Sequence, residues 1–502
     1  MRLLAAGAGV VAVATGLGLG ALVAALVAPD ANPVLAVGSL LIDLSPGPVK
    51  KFFIGLFGTF DKTALLILIG VLLLVLAGIA GALERRRPPL GRILIGLGAA
   101  LGLVAAVSRA TAAPLAAAPA LVTGLAAILL LPALLRRAPE APDAPGADGR
   151  PARRAFLQWS LGSLALGGIA ALGGVALTAK DRTVAAARKA LRLPAPAVAA
   201  PPLPAGADLR IPGLARIVSS NSGFYRIDTA LQVPQIDPDD WALEITGMVQ
   251  KTVRVTWQDL LALPLEEYYA TLMCVSNPVG GDLIGNARWL GYPVRNLLER
   301  AGPSSRADMV LSSSTDGFTV GTPLEALLDE QRNAILAVGM NGQPLPPEHG
   351  FPVRMIVPGL YGYVSATKWV VKLEVTRFDR AQAYWTRQGW GERGPIKLQS
   401  RIDTVRRIDG GDWVIAGVAW RQFVGVRGVQ VQVDGGSWQD AQLSAPISVN
   451  TWVQWRLPWR PASGSHTVAV RAIGADGEVQ TAKVADVLPD GATGYHKVTL
   501  TV

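Results

Sequence analysis

Two places in this chain gather residues that could do chemistry. Cys274 is the only cysteine. It ends the strand-like run Ala270-Thr271-Leu272-Met273 and precedes a glycine-rich loop at Gly280-Gly281. A lone cysteine in such a place has two readings: a small buried apolar side chain, or a thiolate, the soft ligand a thiophilic transition metal prefers. Nucleophilic catalysis would call for a base beside it, and no local Cys/His signature supplies one. The second concentration runs from His349 through Arg354, Pro358-Gly359 and Gly362 to Ser365, Thr367, Lys368 and Trp369. His, Arg, Lys and two hydroxyls among Gly/Pro turns suit an anionic, hydrogen-bonding cofactor. The same residues also read as a turn-rich loop with solvated charges. No GxxxxGK[ST] loop and no GxGxxG opening a helix occur, so neither a P-loop nor a Rossmann nucleotide site is supported.

The composition narrows the chemistry further. One cysteine rules out an intrachain disulfide and any CxxC zinc or redox motif. The three histidines, His349, His466 and His496, all lie in the C-terminal half. Bis-histidine haem among the apolar N-terminal helices is thereby excluded. The net charge is +10, from 47 Lys and Arg against 37 Asp and Glu. Many N-terminal arginines stand in clusters between apolar runs (Arg85-Arg86-Arg87, Arg136-Arg137, Arg153-Arg154). Such placement reflects membrane topology rather than a phosphate-binding face, so no nucleic-acid partner is expected.

The elements that must position these residues fall into four parts. Residues 1–180 carry five apolar runs close to the length of a hydrocarbon core: Leu3–Val27, Thr63–Leu83, Ile93–Val107, Leu115–Leu135 and Phe156–Leu177. The basic residues between runs two and three, and between runs four and five, put those loops on the cytoplasmic side. The N-terminus is then cytoplasmic and everything after run five extracytoplasmic. The stretch 48–60 reads as a lysine-bearing interfacial segment. Arg153-Arg154, directly ahead of run five, reads either as a twin-arginine export signal or as an ordinary positive-inside loop. A short helix and a Pro/Ala-rich linker occupy residues 181–208. Residues 209–378 mix short strands and helices. Residues 379–502 alternate as β-strands, with turns at Asp434-Gly435 and Asp476-Gly477 and buried-type tryptophans at 413, 420, 438 and 455, which indicates a β-sandwich. The expected fold class is therefore an all-α transmembrane bundle of about five helices, an α+β domain and an all-β sandwich.

From about Ser219 to Val502 the chain resembles the sulfite oxidase family. The resemblance rests on Asn221 with Phe224-Tyr225, on Cys274 with Asn277, and on Asn286-Ala287-Arg288-Trp289-Leu290-Gly291. It continues in Met340-Asn341-Gly342-Gln343-Pro344-Leu345-Pro346, in the His349 segment, and in Gly491-Ala492-Thr493-Gly494-Tyr495-His496. It implies a molybdopterin-binding α+β domain followed by an immunoglobulin-like dimerisation domain. It also implies a molybdenum cofactor whose dithiolene holds the metal, with one protein cysteine, Cys274, as a further ligand. By the same resemblance His349, Arg354 and Lys368 hold the pterin and its phosphate, with Ser365 and Thr367 as donors. Asn221 stands close to the metal, and Phe224, Tyr225 and Asn277 belong to the cofactor site. The reaction implied is two-electron oxygen-atom transfer with a small substrate, reset by one-electron steps to a quinone or redox protein. A homodimer through the C-terminal domain is a further expectation.

Three departures separate the chain from sulfite oxidases. Val338 stands where they carry an active-site tyrosine, and Ser220 where they carry an arginine. Trp420-Arg421-Gln422-Phe423 replaces their glycine-rich, arginine-bearing loop. Charge-assisted hydrogen bonds contribute on the order of 1.5–3 kcal/mol each, so losing cations at an anion site argues against sulfite. Periplasmic methionine-sulfoxide reductase catalytic subunits share the Asn…Phe-Tyr region, but their acidic residue two places after the cysteine is Ser276 here. The expectation is a molybdenum oxidoreductase on the outer side of a bacterial cell membrane, acting on S-oxides or N-oxides. The alternatives are a sulfite dehydrogenase, or a cofactor-free scaffold or receptor that keeps the fold.

Overall fold

The computed structural model describes every residue except 1, 47–48, 50–51, 54–55, 58–59, 110–111, 139–149, 178–179 and 409–411. The chain divides into two compact units, Met1–Ala185 with Thr229–Gln232, and Ala186–Asp228 with Val233–Val502.

In the first unit all five expected runs are helical. Leu3–Val27, Asp61–Arg86, Leu90–Val107, Ala118–Leu135 and Arg153–Leu177 are each long and apolar enough to cross a membrane. The third is longer than the sequence pattern gave, because the helix begins at Leu90 and takes Arg92 into its first turns. There Glu84 accepts from the Arg92 backbone N–H at 3.0 Å and from its Nε at 2.8 Å, tying the Asp61–Arg86 and Leu90–Val107 helices together. The last helix starts at Arg150, so Arg153-Arg154 lie inside it rather than ahead of it. A helix over Pro33–Leu44 was not expected, since its 12 residues are too few to span. The segment 48–60, read as interfacial, falls largely outside the described residues.

Small residues let the first helix approach its neighbours. It packs against Asp61–Arg86, Ala118–Leu135 and Arg150–Leu177. At the last of these a Cβ on Gly18 would overlap the Gly167 carbonyl. Nearby, the buried Thr15 hydroxyl bonds the Val11 carbonyl at 2.8 Å and the Ser163 carbonyl at 3.0 Å.

The second unit opens with the helix Lys180–Ala190, which straddles the division. The proline-rich stretch behind it does not hang free. Ala197 N–H donates to Leu265 O at 2.7 Å and Glu267 N–H to Val198 O at 2.8 Å, extending a sheet edge. One mixed sheet runs β2 (Val253–Thr256), β1 (Ala242–Gly247), β10 (Val370–Thr376), β5 (Met309–Ser314), β6 (Thr319–Pro323), with only β1 and β10 parallel. A second, antiparallel sheet runs β3 (Glu266–Met273), β4 (Ile284–Pro293), β7 (Ile335–Met340), β8 (Gln343–Pro344), with β9 (Arg354–Ile356) paired to β7. Strand β7 is buried at every position. A strand covered on both faces can be apolar throughout, which explains Ile335-Leu336-Ala337-Val338.

Two four-stranded antiparallel sheets complete the chain. One runs β11 (Gln399–Arg407), β12 (Trp413–Trp420), β16 (Val453–Trp459), β15 (Gln442–Leu443). The other runs β14 (Gln439–Asp440), β13 (Val426–Val433), β17 (Ser465–Gly474), β18 (His496–Thr501). They share one core that includes Ile415 and Trp455 from the first sheet and Val431 and Val470 from the second. Asp434 and Gly435 both take positive φ where β13 turns towards β14, as the Asp-Gly pair led us to expect. Of the four tryptophans read as buried, Trp420 and Trp455 are. Trp413 and Trp438 are only partly covered, the latter under the Arg471 guanidinium.

Gly18→Val should overpack the first and last helices and cost about 1–3 kcal/mol. Thermal unfolding of the detergent-solubilised chain reads this as a lowered Tm. An unchanged Tm would show that the two helices do not meet at Gly18.

Candidate active site

Strand β3 pairs with β4 up to Met273 opposite Ile284, and the chain then leaves the sheet at Cys274. Cys274 N–H still bonds Leu283 O at 2.9 Å, and Asn277 N–H closes a turn onto Cys274 O at 3.1 Å. Cys274, partly exposed as a residue, therefore stands at a strand end, above a tight turn. Burial pushes its pKa up, opposed by hydrogen bonds from the Ser276 hydroxyl and the Ser276 and Val275 backbone N–H groups. Asn277, 1% exposed, accepts from Leu283 N–H at 2.9 Å, and its Nδ2 has no partner among the described residues.

Asn221, in a turn, and His349, at the end of the 3-10 helix Pro347–His349, meet beside the turn between β7 and β8. Asn341, held at positive φ between β7 and β8, accepts from Arg288 N–H at 3.0 Å. It donates to Asn221 Oδ1 at 2.8 Å and to Ser219 O at 2.9 Å. His349 Nε2 lies 2.9 Å from Asn221 O. A carbonyl only accepts, so this nitrogen carries the proton. Burial, then the Arg354 charge, push the His349 pKa down to about 4, and the ring is neutral at ordinary pH. Phe224 is stacked on Tyr225 and meets Trp289 and His349 edge to face, with centroids 5.2, 5.6 and 5.5 Å away. Burial raises the Tyr225 phenol far above its usual range. Cys274 raises it further and Arg354 opposes, so Tyr225 feels both the sulfur and the guanidinium.

The cations sit deep. Arg354 is 6% exposed and lies against the Trp289 face, 5.3 Å from Cζ to the ring centroid. It donates only to carbonyls, His349 O at 3.1 Å and Ala366 O at 3.4 Å, and its Nε is without a partner among the described residues. Burial lowers its pKa to about 10. Lys368 bonds the Asp228 carboxylate at 2.9 Å and Glu348 O at 3.0 Å, and burial lowers its pKa to about 8 against the pull of Asp228. Ser365 and Thr367 join the same loop, but their hydroxyls are engaged inside the protein. Ser365 bonds Leu360 O and Tyr361 O at 3.1 and 2.9 Å, and Thr367 stands 2.6 Å from the Ser312 hydroxyl.

The C-terminal sandwich grips the cysteine strand from outside. Thr271 N–H donates to Asn450 O at 3.0 Å, and its hydroxyl accepts from Trp452 N–H at 2.9 Å. Arg401 donates to Gly281 O at 2.8 Å, and the His496 ring packs so closely on Gly280 that a Cβ there would overlap it. Tyr361, fully buried on the loop before Ser365, has a hydroxyl with no partner among the described residues. Sequence reasoning assigned no role to Tyr361, Asp228, Arg401, Asn341 or His496. Only the last two lay within quoted motifs, and the Asp228–Lys368 pair spans 140 positions with no local pattern to betray it.

This set fits an anionic group that brings its own metal ligands. Among the described residues no three His, Cys, Asp or Glu side chains gather to hold a metal, so the protein offers one soft ligand. A buried guanidinium Nε and a buried amide Nδ2, neither with a partner among the described residues, point at the same need for acceptors. The departures are also visible. Val338 is fully buried in β7, and Arg421 is paired with Glu478 at 2.7 Å.

Comparison with known proteins agrees with this chemistry. Residues 230–385 match the family described as "Oxidoreductase molybdopterin binding domain". Mitochondrial sulfite oxidase of Rattus norvegicus is 30% identical over 276 residues, 45% of this chain and 50% of that one, so the chain spans about half the length of this relative. The uncharacterized oxidoreductase YuiH of Bacillus subtilis is 33% identical over 158 residues, 32% of this chain and 76% of that one. The crystal structure of the sulfane dehydrogenase SoxCD from Paracoccus pantotrophus superposes with a TM-score of 0.51 at 22% identity, covering 57% of this chain and 82% of that one, a likeness of fold. The chain belongs to the molybdopterin-binding oxidoreductases of the sulfite oxidase family.

Proposed function

We propose that this chain is a membrane-anchored molybdenum oxidoreductase that exchanges an oxygen atom with a small, uncharged substrate such as an S-oxide or N-oxide. The observation that carries the reading is the Cys274 sulfur at the turn that ends β3, 2.9 Å from the Ser276 hydroxyl, on a domain whose family implies the molybdenum cofactor. When bound, that cofactor supplies two-electron oxygen-atom transfer. Cys274 gives the metal its protein ligand. Arg354 and Lys368 neutralise the cofactor's anionic groups, and the free Asn277 Nδ2 offers it an amide donor. His349, neutral and bonded to Asn221 O, fixes the segment carrying Asn221, Phe224 and Tyr225, and the aromatic wall with Trp289 keeps bulk water from the site. Ser365 and Thr367 brace the loop that presents Lys368 beside β9, which carries Arg354.

An uncharged substrate is favoured because Arg421 is already paired with Glu478 and Val338 adds no polar group. A second reading, sulfite oxidation, is supported by the similarity to rat sulfite oxidase. The five apolar helices support anchoring, and the arginine clusters at Arg85-Arg86 and Arg136-Arg137 favour an extracytoplasmic catalytic domain in a bacterial membrane. Electrons would pass to a quinone or a redox protein. The C-terminal sandwich, read as immunoglobulin-like, would also support a homodimer.

Elemental analysis of the full chain, purified in detergent from a cofactor-competent host, should find about one molybdenum per chain. Cys274→Ser should lose it or alter the metal's absorption. Turnover of S-oxides or N-oxides above sulfite supports the substrate assignment, and the reverse order selects the second reading. Protein free of molybdenum despite cofactor supply would leave the scaffold.

The His349 shift has a sign that can be checked. Its folded pKa, about 4, lies below the ordinary value near 6.5, so the unfolded chain binds the extra proton. The stabilisation is complete above about pH 6.5 and is lost as the pH falls towards about 4, an effect on the order of 3 kcal/mol. Denaturant unfolding of the wild type should therefore lose more stability than His349→Gln over that interval. Parallel losses would mean that His349 is not held neutral.

A further inference from the structure

The Cys274 sulfur is met by a hydroxyl from its own turn. The bond from Asn277 N–H to Cys274 O folds residues 274–277 so that Ser276 Oγ stands 2.9 Å from Sγ. With a free thiol either atom can be the donor. A metal-bound sulfur has lost its proton and can only accept, so the direction of the bond becomes fixed.

We propose that Ser276 is a positioning residue of the metal centre, whose hydroxyl donates to the Cys274 sulfur and holds the centre at a higher reduction potential than the sulfur alone would give. This rests on the reading of Cys274 as the metal ligand. A hydrogen bond draws electron density from a thiolate and weakens its donation to the metal, which favours the more reduced state. Hydrogen bonding to ligand sulfur is a general lever on the potentials of thiolate-ligated centres.

The hydroxyl is the separable part of this arrangement. The backbone of Val275 and Ser276 belongs to the turn closed by Asn277 N–H on Cys274 O and persists in any side-chain variant. Asn277 is directed elsewhere, to Leu283 N–H, and contributes no bond to the sulfur. Ser276 is only partly buried, so removing its oxygen leaves no large cavity. The hydroxyl also orients the sulfur, since it limits the rotation of the Cys274 side chain about χ1. A residue that tunes and orients in this way acts through Cys274 and need not touch the substrate.

The test is a potentiometric titration of the one-electron-reduced molybdenum signal by electron paramagnetic resonance, on full-length wild type, Ser276→Ala and Ser276→Thr in detergent. Molybdenum content is measured on each sample. Ser276→Ala should retain the metal and shift the one-electron reduction equilibrium about tenfold towards the oxidised form, about 59 mV for a one-electron couple. Ser276→Thr, which keeps the hydroxyl, should restore the wild-type value. A loaded Ser276→Ala at the wild-type potential overturns the role of Ser276 and leaves the cofactor reading standing. Should Ser276→Ala fail to hold the metal, a loaded Ser276→Thr at the wild-type potential supports the proposal, and an empty Ser276→Thr overturns it. Wild type without molybdenum overturns the reading of Cys274 and this proposal together.

Discussion

A sulfur that is to hold a metal must be presented at the end of something rigid, and its negative charge must be met by donors that do not move. In this chain β3 supplies the rigidity and the turn after it supplies the donors. The strand is fixed on one side by its register with β4 and on the other by Asn450 and Trp452 of the C-terminal sandwich, both acting at Thr271. The loop beyond the sulfur is held by Arg401 and His496. The sandwich thus has a task within one chain, whatever it does between chains. Its loops are the outer support of the residue that the site depends on.

The electrostatics follow from the same constraint. A protein with one cysteine and, among the described residues, no cluster of three His, Cys, Asp or Glu side chains needs a metal that arrives already chelated, and the chelate named by the family is anionic. In the proposed function, the buried Arg354 and Lys368 meet that charge. Lys368 has Asp228 as a partner, while the recorded partners of Arg354 are carbonyls and an aromatic face. Leaving a buried cation without an anion costs several kcal/mol, on the order of 3–5 by analogy with broken buried pairs. An anionic cofactor relieves that cost. His349 stays neutral for the reason that Arg354 does not: an imidazole can lose its charge at modest cost, and a guanidinium cannot.

Much of this was legible in the sequence, and the limits have physical causes. The five long helices were visible because a span must be apolar all round, which leaves an unbroken run. Pro33–Leu44 was missed because its length falls below that signal. Cys274, His349, Arg354 and Lys368 were singled out through the ordered motifs that resemble the sulfite oxidase family. The structure brings His349, Arg354 and Lys368 into one loop region, with Tyr225 lying in the fields of both Cys274 and Arg354. What Ser365 and Thr367 bond to could not be read, since a hydroxyl in a Gly/Pro loop looks the same whether it faces a ligand or its own backbone. Ser276 was visible as a departure from relatives, but its bond to the sulfur exists only through the turn. Asp228 and Arg401 act across distances in sequence that no local pattern encodes.

The central claim is that the Cys274 sulfur is a ligand of molybdenum. Molybdenum K-edge X-ray absorption on the loaded full-length chain, compared with whatever loaded fraction Cys274→Ser retains, counts the sulfur neighbours directly. The account requires one more sulfur neighbour in the wild type than in the variant, with the cofactor's own sulfurs unchanged. The same sulfur count in both would contradict it, and would leave Cys274 as a small side chain at the end of a strand.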